Sequence, residues 1–345
     1  MHAGRASFRS SDPSAHQHNP QRTTPQCYHH QPVAQVQCDK FRRRTLSQAA
    51  QRAVTQGSRA QHSTRHTARH RCVLVMASAT GAAGSPLKVL VTGAGGKTGK
   101  LVLKMLLAQP DRYKATALVH SQQSAEQVQQ DSGLQQNEGL FVADIAADAQ
   151  GIAKALQGAD ALIIATSATP KMEPDYKPGE GPPRMFFPQM PEQVDWIGQK
   201  NQIDAAVQAG VKKIVLVSSM GGTDPSNMLN RIGGGKILLY KRKAEEYLMQ
   251  QQGVQYTIIH PGGLIDEAGG EREIIVGVDD ELMTRDNRSI PRADVAELCV
   301  QCLQLEEASN RSFDVVSKPP PGSTDYRTLL TNMTRNCNYS LGESA

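Results

Sequence analysis

Long hydrophobic runs and a cysteine framework are both missing from this sequence of 345 residues. No run of 18 or more apolar residues occurs, which predicts a chain without a membrane-spanning helix. Only three of the six cysteines lie beyond residue 86, namely Cys299, Cys302 and Cys337. An odd number in a long chain argues against a disulfide scaffold and suits a reducing compartment. Aromatic residues make up 4% of the chain, and no basic stripe accompanies them after residue 86, which argues against nucleic-acid binding.

Acidic residues are almost absent from the first 86 positions, where twelve Lys or Arg stand against two Asp. The rest of the chain is slightly acidic, so the sequence pI of about 8.8 originates in this N-terminal arm. The arm lacks an apolar period and is rich in Arg, Ser and Gln, which predicts a disordered organelle transit peptide over residues 1–78. A basic tail that contacts nucleic acid or a membrane is the alternative.

Short apolar runs alternate with helical patterns from residue 86 onward. This alternation predicts an α/β fold, a single Rossmann-type doubly wound parallel sheet with helices on both faces. The domain is expected over 86–337, with a flexible tail over 338–345. We predict strands at 88–92, 114–119, 139–142, 161–165, 213–218, 255–260, 273–277 and 313–317. We predict helices at 97–107, 148–156, 192–209, 236–251, 294–305 and 325–334.

A proline-rich stretch at 171–193 has no regular pattern. Long irregular loops inside compact domains usually serve as lids or binding loops, so this stretch is expected to cover a substrate.

A glycine-rich turn joins the first predicted strand to the first predicted helix. The spacing GxxGxxG allows a tight turn, a close approach of backbone N–H groups to a diphosphate and close packing of helix on strand. It predicts a dinucleotide site at Gly93, Gly95, Gly96, Lys97, Thr98 and Gly99. A phosphate loop of nucleotide hydrolases is excluded, because Val91 stands where that motif needs its first glycine.

The end of the second strand indicates which dinucleotide is bound. NAD enzymes place a carboxylate there, on the ribose 2′-hydroxyl. This chain has His120 and Ser121 and no acid. We therefore expect NADP, with its 2′-phosphate accepted by Lys97, His120 and Ser121, and regard NAD as the less favoured cofactor.

The chain resembles the atypical short-chain dehydrogenase/reductase superfamily, in its NAD(P)H-binding, NmrA-like branch. The resemblance rests on TGAGGKTG at 92–99, TSATPKM at 166–172, PEQVDWIGQKNQIDAA at 191–206, YKRKAEEYL at 240–248 and TIIHPGGL at 257–264. It extends to plant chloroplast NADP-binding proteins and to the dehydrogenase-like domain of a chloroplast translocon subunit. It implies further cofactor contacts: Asp144 and Ile145 at the adenine, Ser167 near the middle, Lys243 at the nicotinamide ribose, and Pro261 and Gly262 at the nicotinamide end.

Catalytic residues are less clearly marked. Reductases of this superfamily pair a tyrosine with a lysine four residues later, but Leu239 stands four residues before Lys243. Tyr240 is the neighbouring candidate, and its alternative role is packing at the rim. Ser218 corresponds to a substrate-orienting hydroxyl, and its alternative role is to satisfy backbone groups of a loop. The predicted catalytic residues are thus Lys243, Ser218 and, with this departure, Tyr240.

Two functions remain open at this point. One is an NADPH-dependent oxidoreductase of a small organic acceptor in the chloroplast stroma, or alternatively in a mitochondrion. The other is a non-catalytic NADP-binding redox sensor or docking module, with a flavoprotein as its partner. No metal site is expected, because only His120 and His260 lie beyond the arm and they form no Cys/His constellation for zinc.

Overall fold

The computed structural model describes residues 85–341, with the exception of residues 178, 180, 182 and 183. The predicted transit peptide and residues 342–345 lie outside the described part. The strands are β1 Leu87–Thr92, β2 Tyr113–Val119, β3 Leu140–Val142, β4 Ala161–Ile164, β5 Lys171–Met172, β6 Met185–Phe186, β7 Lys213–Val217, β8 Gln255–Pro261, β9 Gly263–Ile265, β10 Ile274–Gly277, β11 Ser289–Pro291 and β12 Arg311–Ser317. The helices are α1 Lys97–Leu107, α2 Gln122–Ser132, α3 Ala149–Ala155, α4 Gln199–Gln208, α5 Met228–Arg231, α6 Ile237–Met249, α7 Arg292–Gln304 and α8 Tyr326–Thr331.

Eight strands form one sheet in the order β10-β12-β8-β7-β4-β1-β2-β3. All neighbours pair in parallel except β10, which runs antiparallel to β12 at the edge. The predicted Rossmann-type sheet with helices on both faces is therefore confirmed.

The first strand shows why the sheet is covered on both sides. Val89 and Val91 pack into one hydrophobic cluster with α1 and α7, whereas Leu90 packs into a second with α3, α4 and α6. Successive side chains of a strand point to opposite faces, so a continuous apolar run produces two cores.

The structure adds elements that the sequence pattern does not predict. Helix α2 buries only Ala125 and Val128, and its Gln-rich surface hides the apolar period. Its ends are nevertheless well defined, because the Ser121 hydroxyl accepts from the Ser124 N–H and Gly133 ends the helix in the left-handed conformation. The expected helix at 192–209 begins as a π-helical stretch, Glu192–Gly198, before α4.

The strand order determines where a site can form. The chain leaves β1 toward β2 and later returns to place β4 on the other side of β1, so the connections diverge between β1 and β4. Ligands of open α/β sheets bind at the carboxyl ends of strands beside such a switch point.

Candidate cofactor and substrate cleft

The glycine turn after β1 is packed against the turn after β4. Gly93 has φ +69°, and a Cβ there would lie 2.6 Å from the carbonyl oxygen of Ala165. A Cβ on Gly99 would lie 2.2 Å from the carbonyl oxygen of Gly93. Both positions therefore require glycine for the backbone to curve tightly at the switch point.

The first turn of α1 offers backbone donors at this edge. Gly96 is the N-cap residue and provides no side-chain cap. The first N–H groups of a helix have no partner within the helix, and the helix dipole favours an anion there. The groups present thus fit a dinucleotide diphosphate, with Gly95, Lys97 and Thr98 beside it.

Of the three residues expected at the 2′-phosphate, His120 and Ser121 follow β2 directly, and Lys97 begins α1. Lys97 Nζ lies 2.5 Å from the carboxylate of Asp266, which also accepts from Arg292 at 2.5 Å. His120 is exposed, and its Nε2 lies 3.2 Å from the amide nitrogen of Gln189. Lys97 therefore forms an exposed ion pair with Asp266, and its contribution to the 2′-phosphate stays a prediction.

Asp144 and Ile145 lie after β3, near the predicted adenine position. Asp144 Oδ1 accepts from the N–H of Ala146 at 2.9 Å. Ile145 is 9% exposed, and its carbonyl accepts from Asn201. A Cβ on Gly198 would meet the Ile145 side chain at 2.7 Å, so the π-helical stretch packs directly on this residue.

A cavity of about 230 Å³ opens beside the glycine turn. Its walls come from the first turn of α1, the ends of β4 and β7, the loops at 167–170 and 187, helices α5 and α6, and β9. Its polar side chains are Thr98, Ser167, Ser218, Ser219 and Lys241, and its apolar residues are Ala165, Pro170, Phe187, Val217, Leu229, Ile232, Ile237, Leu238 and Leu264.

Lys241, and not Lys243, lies in this cleft, which corrects the sequence prediction. The two lysines are two residues apart and therefore about 200° apart around the helix. Lys243 is exposed, with its Nζ 4.4 Å from the centroid of the Trp196 ring. The Lys241 side chain is only 6% exposed and lies on the same face as Ile237 and Ala244.

Asp195 holds Lys241 in place. Lys241 Nζ lies 2.8 Å from Asp195 Oδ1, and the other carboxylate oxygen accepts from the N–H of Ala168 at 3.0 Å. Asp195 is fully buried, although aspartate is rarely buried unless it is paired. The π-helical stretch turns it inward, and such stretches are frequent at functional sites.

Tyr240 does not reach the cleft. It is half-buried on the outer side of α6 next to Glu192, and burial followed by the Glu192 charge raises the pKa of its phenol. The residue four before Lys241 is Ile237, so no tyrosine occupies the usual partner position on this helix.

Ser218 lines the cleft but gives its proton to Glu245 Oε1. This contact corresponds to neither of the two roles considered for it from sequence. Ser219 is the more available hydroxyl, and it lies between the cleft and a second, smaller cavity.

Pro261 and Gly262 lie beside the expected nicotinamide end without lining the cleft. Pro261 is buried in β8, and its carbonyl accepts from Met220 at 3.1 Å. A Cβ on Gly262 would lie 2.1 Å from the carbonyl oxygen of Arg288. Leu264 presents the wall that was expected from these two residues.

The proline-rich stretch folds partly into the short antiparallel pair of β5 and β6. Phe187 lines the cleft, and a Cβ on Gly235 would lie 2.6 Å from its ring. Gln189 reaches His120 at the end of β2. The segment therefore touches both the apolar cleft and the edge of the predicted cofactor site.

Behind Ser218 lies a buried ionic network. His260 Nε2 donates to Glu245 Oε2 at 2.9 Å, and the Tyr339 hydroxyl donates to the same oxygen at 2.9 Å. Burial alone would raise the pKa of Glu245, but the charge of His260 with hydrogen bonds from His260 and Ser218 lowers it to about 2. Burial acts to lower the pKa of His260, but Glu245 and Asp314 together raise it well above its ordinary range.

Tyr339 belongs to the segment predicted as a flexible tail. Arg242 stacks on its ring, with 4.1 Å between the guanidinium carbon and the ring centroid, and donates to the Asn338 carbonyl. Residues 338–341 thus contact the domain, and the mobility of the tail stays a prediction.

The structure also assembles a group that the sequence did not reveal. His260, Asp314 and Cys337 are buried together, with their nitrogen, oxygen and sulfur atoms adjacent. The absence of a metal site stays a prediction, although the fold brings three residues of ligand type together here. They are far apart in the chain, and only the pairing of β8 with β12 places His260 opposite Asp314.

None of the helices among the described residues is both long enough and apolar enough to cross a membrane.

The chain is similar to a known protein family and to individual plant proteins. A family model described as NAD(P)H-binding matches residues 93–306. An uncharacterised chloroplastic protein of Arabidopsis thaliana is 50% identical over 274 residues, covering 78% of this chain and 82% of the relative. Sanguinarine reductase of Eschscholzia californica is 44% identical over 271 residues, covering 72% of this chain and 96% of that enzyme.

Among solved structures, a Bacillus halodurans protein named as an NAD-dependent epimerase/dehydratase superposes with a TM-score of 0.55 at 23% identity. The match covers 72% of this chain and 100% of the other. It supports the Rossmann-type fold and no more than the fold.

Proposed function

Because the chain belongs to the NAD(P)H-binding family of atypical short-chain dehydrogenase/reductase-like proteins, we propose that it is an NADPH-dependent reductase of a small apolar carbonyl or quinone. The observation that carries the proposal is the position of Lys241. It is a buried ammonium at the switch point, between the glycine turn and an apolar cavity. The similarity to a named reductase over most of both chains supports the reaction class.

The residues of the cleft have separate roles in the proposed reaction. Backbone donors of the α1 N-terminus and the glycine turn hold the diphosphate. A bound nicotinamide supplies the hydride. Lys241, kept in one orientation by Asp195, donates hydrogen bonds toward the ribose and stabilises the negative charge that develops on the acceptor oxygen. Ser219 offers a second hydroxyl at the same end.

The cleft favours a neutral ring system. Among the described residues, its lining has no carboxylate and seven larger apolar residues, Pro170, Phe187, Leu229, Ile232, Ile237, Leu238 and Leu264. Its single charged lining residue is the cation Lys241, which suits an oxygen that gains negative charge more than a cationic substrate.

A coupled assay tests the reaction. We expect the purified full chain to oxidise NADPH with apolar quinones or aromatic aldehydes faster than with polar aldehydes. Sanguinarine serves as the comparison substrate, because one relative is named for its reduction. The absence of NADPH oxidation above background with every acceptor contradicts the proposal.

The preference for NADP is part of the proposal and rests on the end of β2, where His120 and Ser121 stand in place of an acid. His120→Asp introduces a carboxylate there. We therefore expect NADPH to bind at least ten-fold more weakly and NADH to bind more tightly than in the wild type. Titration of both coenzymes by fluorescence measures the ratio. An unchanged ratio removes this end of β2 as the discriminating site.

Binding of any dinucleotide depends on the cradle at Gly96. Its φ of −80° tolerates a side chain, and a Cβ there would lie 3.2 Å from the Gly93 carbonyl oxygen. Gly96→Val is therefore expected to fold and to lose coenzyme affinity, because its methyl groups obstruct the diphosphate. Circular dichroism checks the fold and calorimetry the binding.

The second candidate function is a non-catalytic NADP-binding redox sensor or docking module with a flavoprotein partner. The observation that favours it is the absence of a tyrosine from the cleft lining. Recovery of a flavoprotein only when NADP(H) is present, together with an inactive acceptor panel, would support this alternative over the reductase.

We place the protein in the chloroplast, in the stroma, on the basis of its chloroplastic relative and its acid-poor N-terminal arm. A fluorescent fusion of the first 86 residues tests this, and accumulation in mitochondria would reverse the assignment.

A further inference from the structure

His260 near the end of β8 meets Asp314 in the middle of β12 and Cys337 after α8, outside the proposed cofactor cleft. His260 Nδ1 lies 3.2 Å from Asp314 Oδ1 and 3.5 Å from Cys337 Sγ, and the sulfur lies 3.8 Å from the same carboxylate oxygen. Two ligands of a tetrahedral zinc, each 2.0–2.3 Å from the ion, are roughly 3.2–3.7 Å apart. The three atoms therefore span one face of such a tetrahedron.

We propose that His260, Asp314 and Cys337 bind one Zn²⁺ ion, which fastens the C-terminal segment to the sheet. Nitrogen, carboxylate oxygen and sulfur together form a donor set that zinc accepts. The fourth position faces a small cavity lined by Thr223, Asp279 and Asp280, where a water molecule completes the coordination.

Neighbouring groups orient the ligands as partners of metal ligands commonly do. His260 Nε2 donates to Glu245 at 2.9 Å, which leaves Nδ1 as the nitrogen directed at Cys337. The second oxygen of Asp314 accepts from the N–H of Asp280 at 2.7 Å. A carboxylate behind the histidine and a hydrogen bond on the carboxylate ligand both fix ligand geometry.

Charge and backbone placement support the same site. The cavity is lined by four carboxylates, Glu245, Asp279, Asp280 and Asp314, against two cations, Arg242 and His260, while Arg335 pairs with Asp279 from outside the lining. The N–H of Cys337 donates to the Ser312 carbonyl at 3.1 Å, so the thiol is held against β12. Metal binding displaces the proton of the Cys337 thiol and the proton on His260 Nδ1, and both go to the solvent.

The test must distinguish this site from the N-terminal arm, which holds eight of the ten histidines and three further cysteines. Thermal unfolding of the domain provides that distinction, because an ion bound only to the arm does not stabilise the fold. Untagged full-length protein is freed of metal with a chelator and melted with Zn²⁺, with Mg²⁺ and with the chelator. We expect Zn²⁺ at 100 times its dissociation constant to raise the Tm by about 5 °C or more, and Mg²⁺ to have no effect.

Two cysteine variants form the matched pair. Cys337→Ser keeps a hydrogen-bonding atom but removes the thiolate, and it should lose the zinc-dependent rise in Tm. Cys302→Ala, in the core on α7, should keep it. With Co²⁺ as a spectroscopic probe, wild type minus Cys337→Ser should show a thiolate-to-cobalt charge-transfer band, and wild type minus Cys302→Ala should not.

Equal shifts in both variants, or no zinc-dependent shift in the wild type, overturn the proposal and leave His260 as a charged hydrogen-bonding residue between two carboxylates. If Cys337→Ser does not fold, the wild-type melts with Zn²⁺ and Mg²⁺ decide the question. Glu245→Gln adds a graded outcome, because weakening the partner of a histidine ligand should reduce zinc affinity by about 10- to 100-fold.

Discussion

Helix α6 carries two buried charges one turn apart, and their surroundings differ. Lys241 has one ionic partner, Asp195, and opens onto an apolar cavity. Glu245 accepts from Ser218, His260 and Tyr339 and is closed over by the C-terminal segment. A buried charge with few partners beside a cavity can interact with a bound substrate. A buried charge with every oxygen hydrogen-bonded stabilises the fold instead.

The largest effect expected from this comparison is on activity. Lys241→Met removes the one cation among the described residues that line the cleft and should lower kcat by about 10²- to 10³-fold. Because it also leaves Asp195 buried without its partner, the double variant Lys241→Met with Asp195→Asn is measured alongside. Lys243→Met is the matched control, and an equal loss in it would show that the wrong lysine has been placed in the cleft.

The next effect is on stability. Glu245→Gln removes one partner of a buried ion pair and should reduce the free energy of unfolding by about 3–5 kcal/mol. Urea unfolding of the metal-free protein measures it. A loss below 1 kcal/mol would mean that the hydrogen bonds and charges around Glu245 contribute little to stability. Glu245 would then not be the structural counterpart of Lys241.

The pH dependence of the free energy of unfolding should also report on Glu245. Its folded pKa of about 2 lies below its ordinary value of 4.5, so its stabilisation is present above pH 4.5 and is lost as the pH falls toward 2. We expect the metal-free wild type to lose roughly 3 kcal/mol over this range through Glu245. The loss should be smaller in Glu245→Gln, and parallel pH profiles would contradict the shifted pKa.

Ser218 lines the cleft that contains Lys241 and also bonds to Glu245, so its substitution tests which of the two regions it serves. Its hydroxyl donates to a charged acceptor, so Ser218→Ala should cost about 1.5–3 kcal/mol of stability. We expect kcat/KM to change less than three-fold, since the proton points away from the cleft. A large fall in kcat with unchanged stability would instead assign Ser218 to the substrate.

The smallest effect belongs to the exposed side of α6. Lys243 lies over Trp196, and an exposed cation–π contact contributes about 0.5–1 kcal/mol. Lys243→Met should therefore shift the free energy of unfolding by no more than this, as chemical denaturation would show.

The fold and the glycine turn were predictable, because they depend on local patterns. The apolar run of β1 and the glycines that follow it lie within a dozen residues of one another. The position of Lys241 in the cleft could also have been predicted from the sequence. Buried positions 237, 241, 244 and 248 of α6 follow a helical period that includes Lys241 and omits Lys243.

The cluster around His260 could not be predicted in the same way. Its members come from β8, β12 and the segment after α8, and only the pairing of two strands far apart in sequence places His260 beside Asp314. The inward turn of Asp195 likewise depends on a π-helical stretch, for which its sequence carries no recognised signal.

Asp266 has a consequence for how a coenzyme arrives. Its carboxylate bridges Lys97 at the start of α1 and Arg292 at the start of α7, and both it and Lys97 are largely exposed. An incoming diphosphate carries negative charge of its own and competes for these two cations. Coenzyme capture is then an exchange of one anion for another, and added salt should slow the association more than it speeds the release.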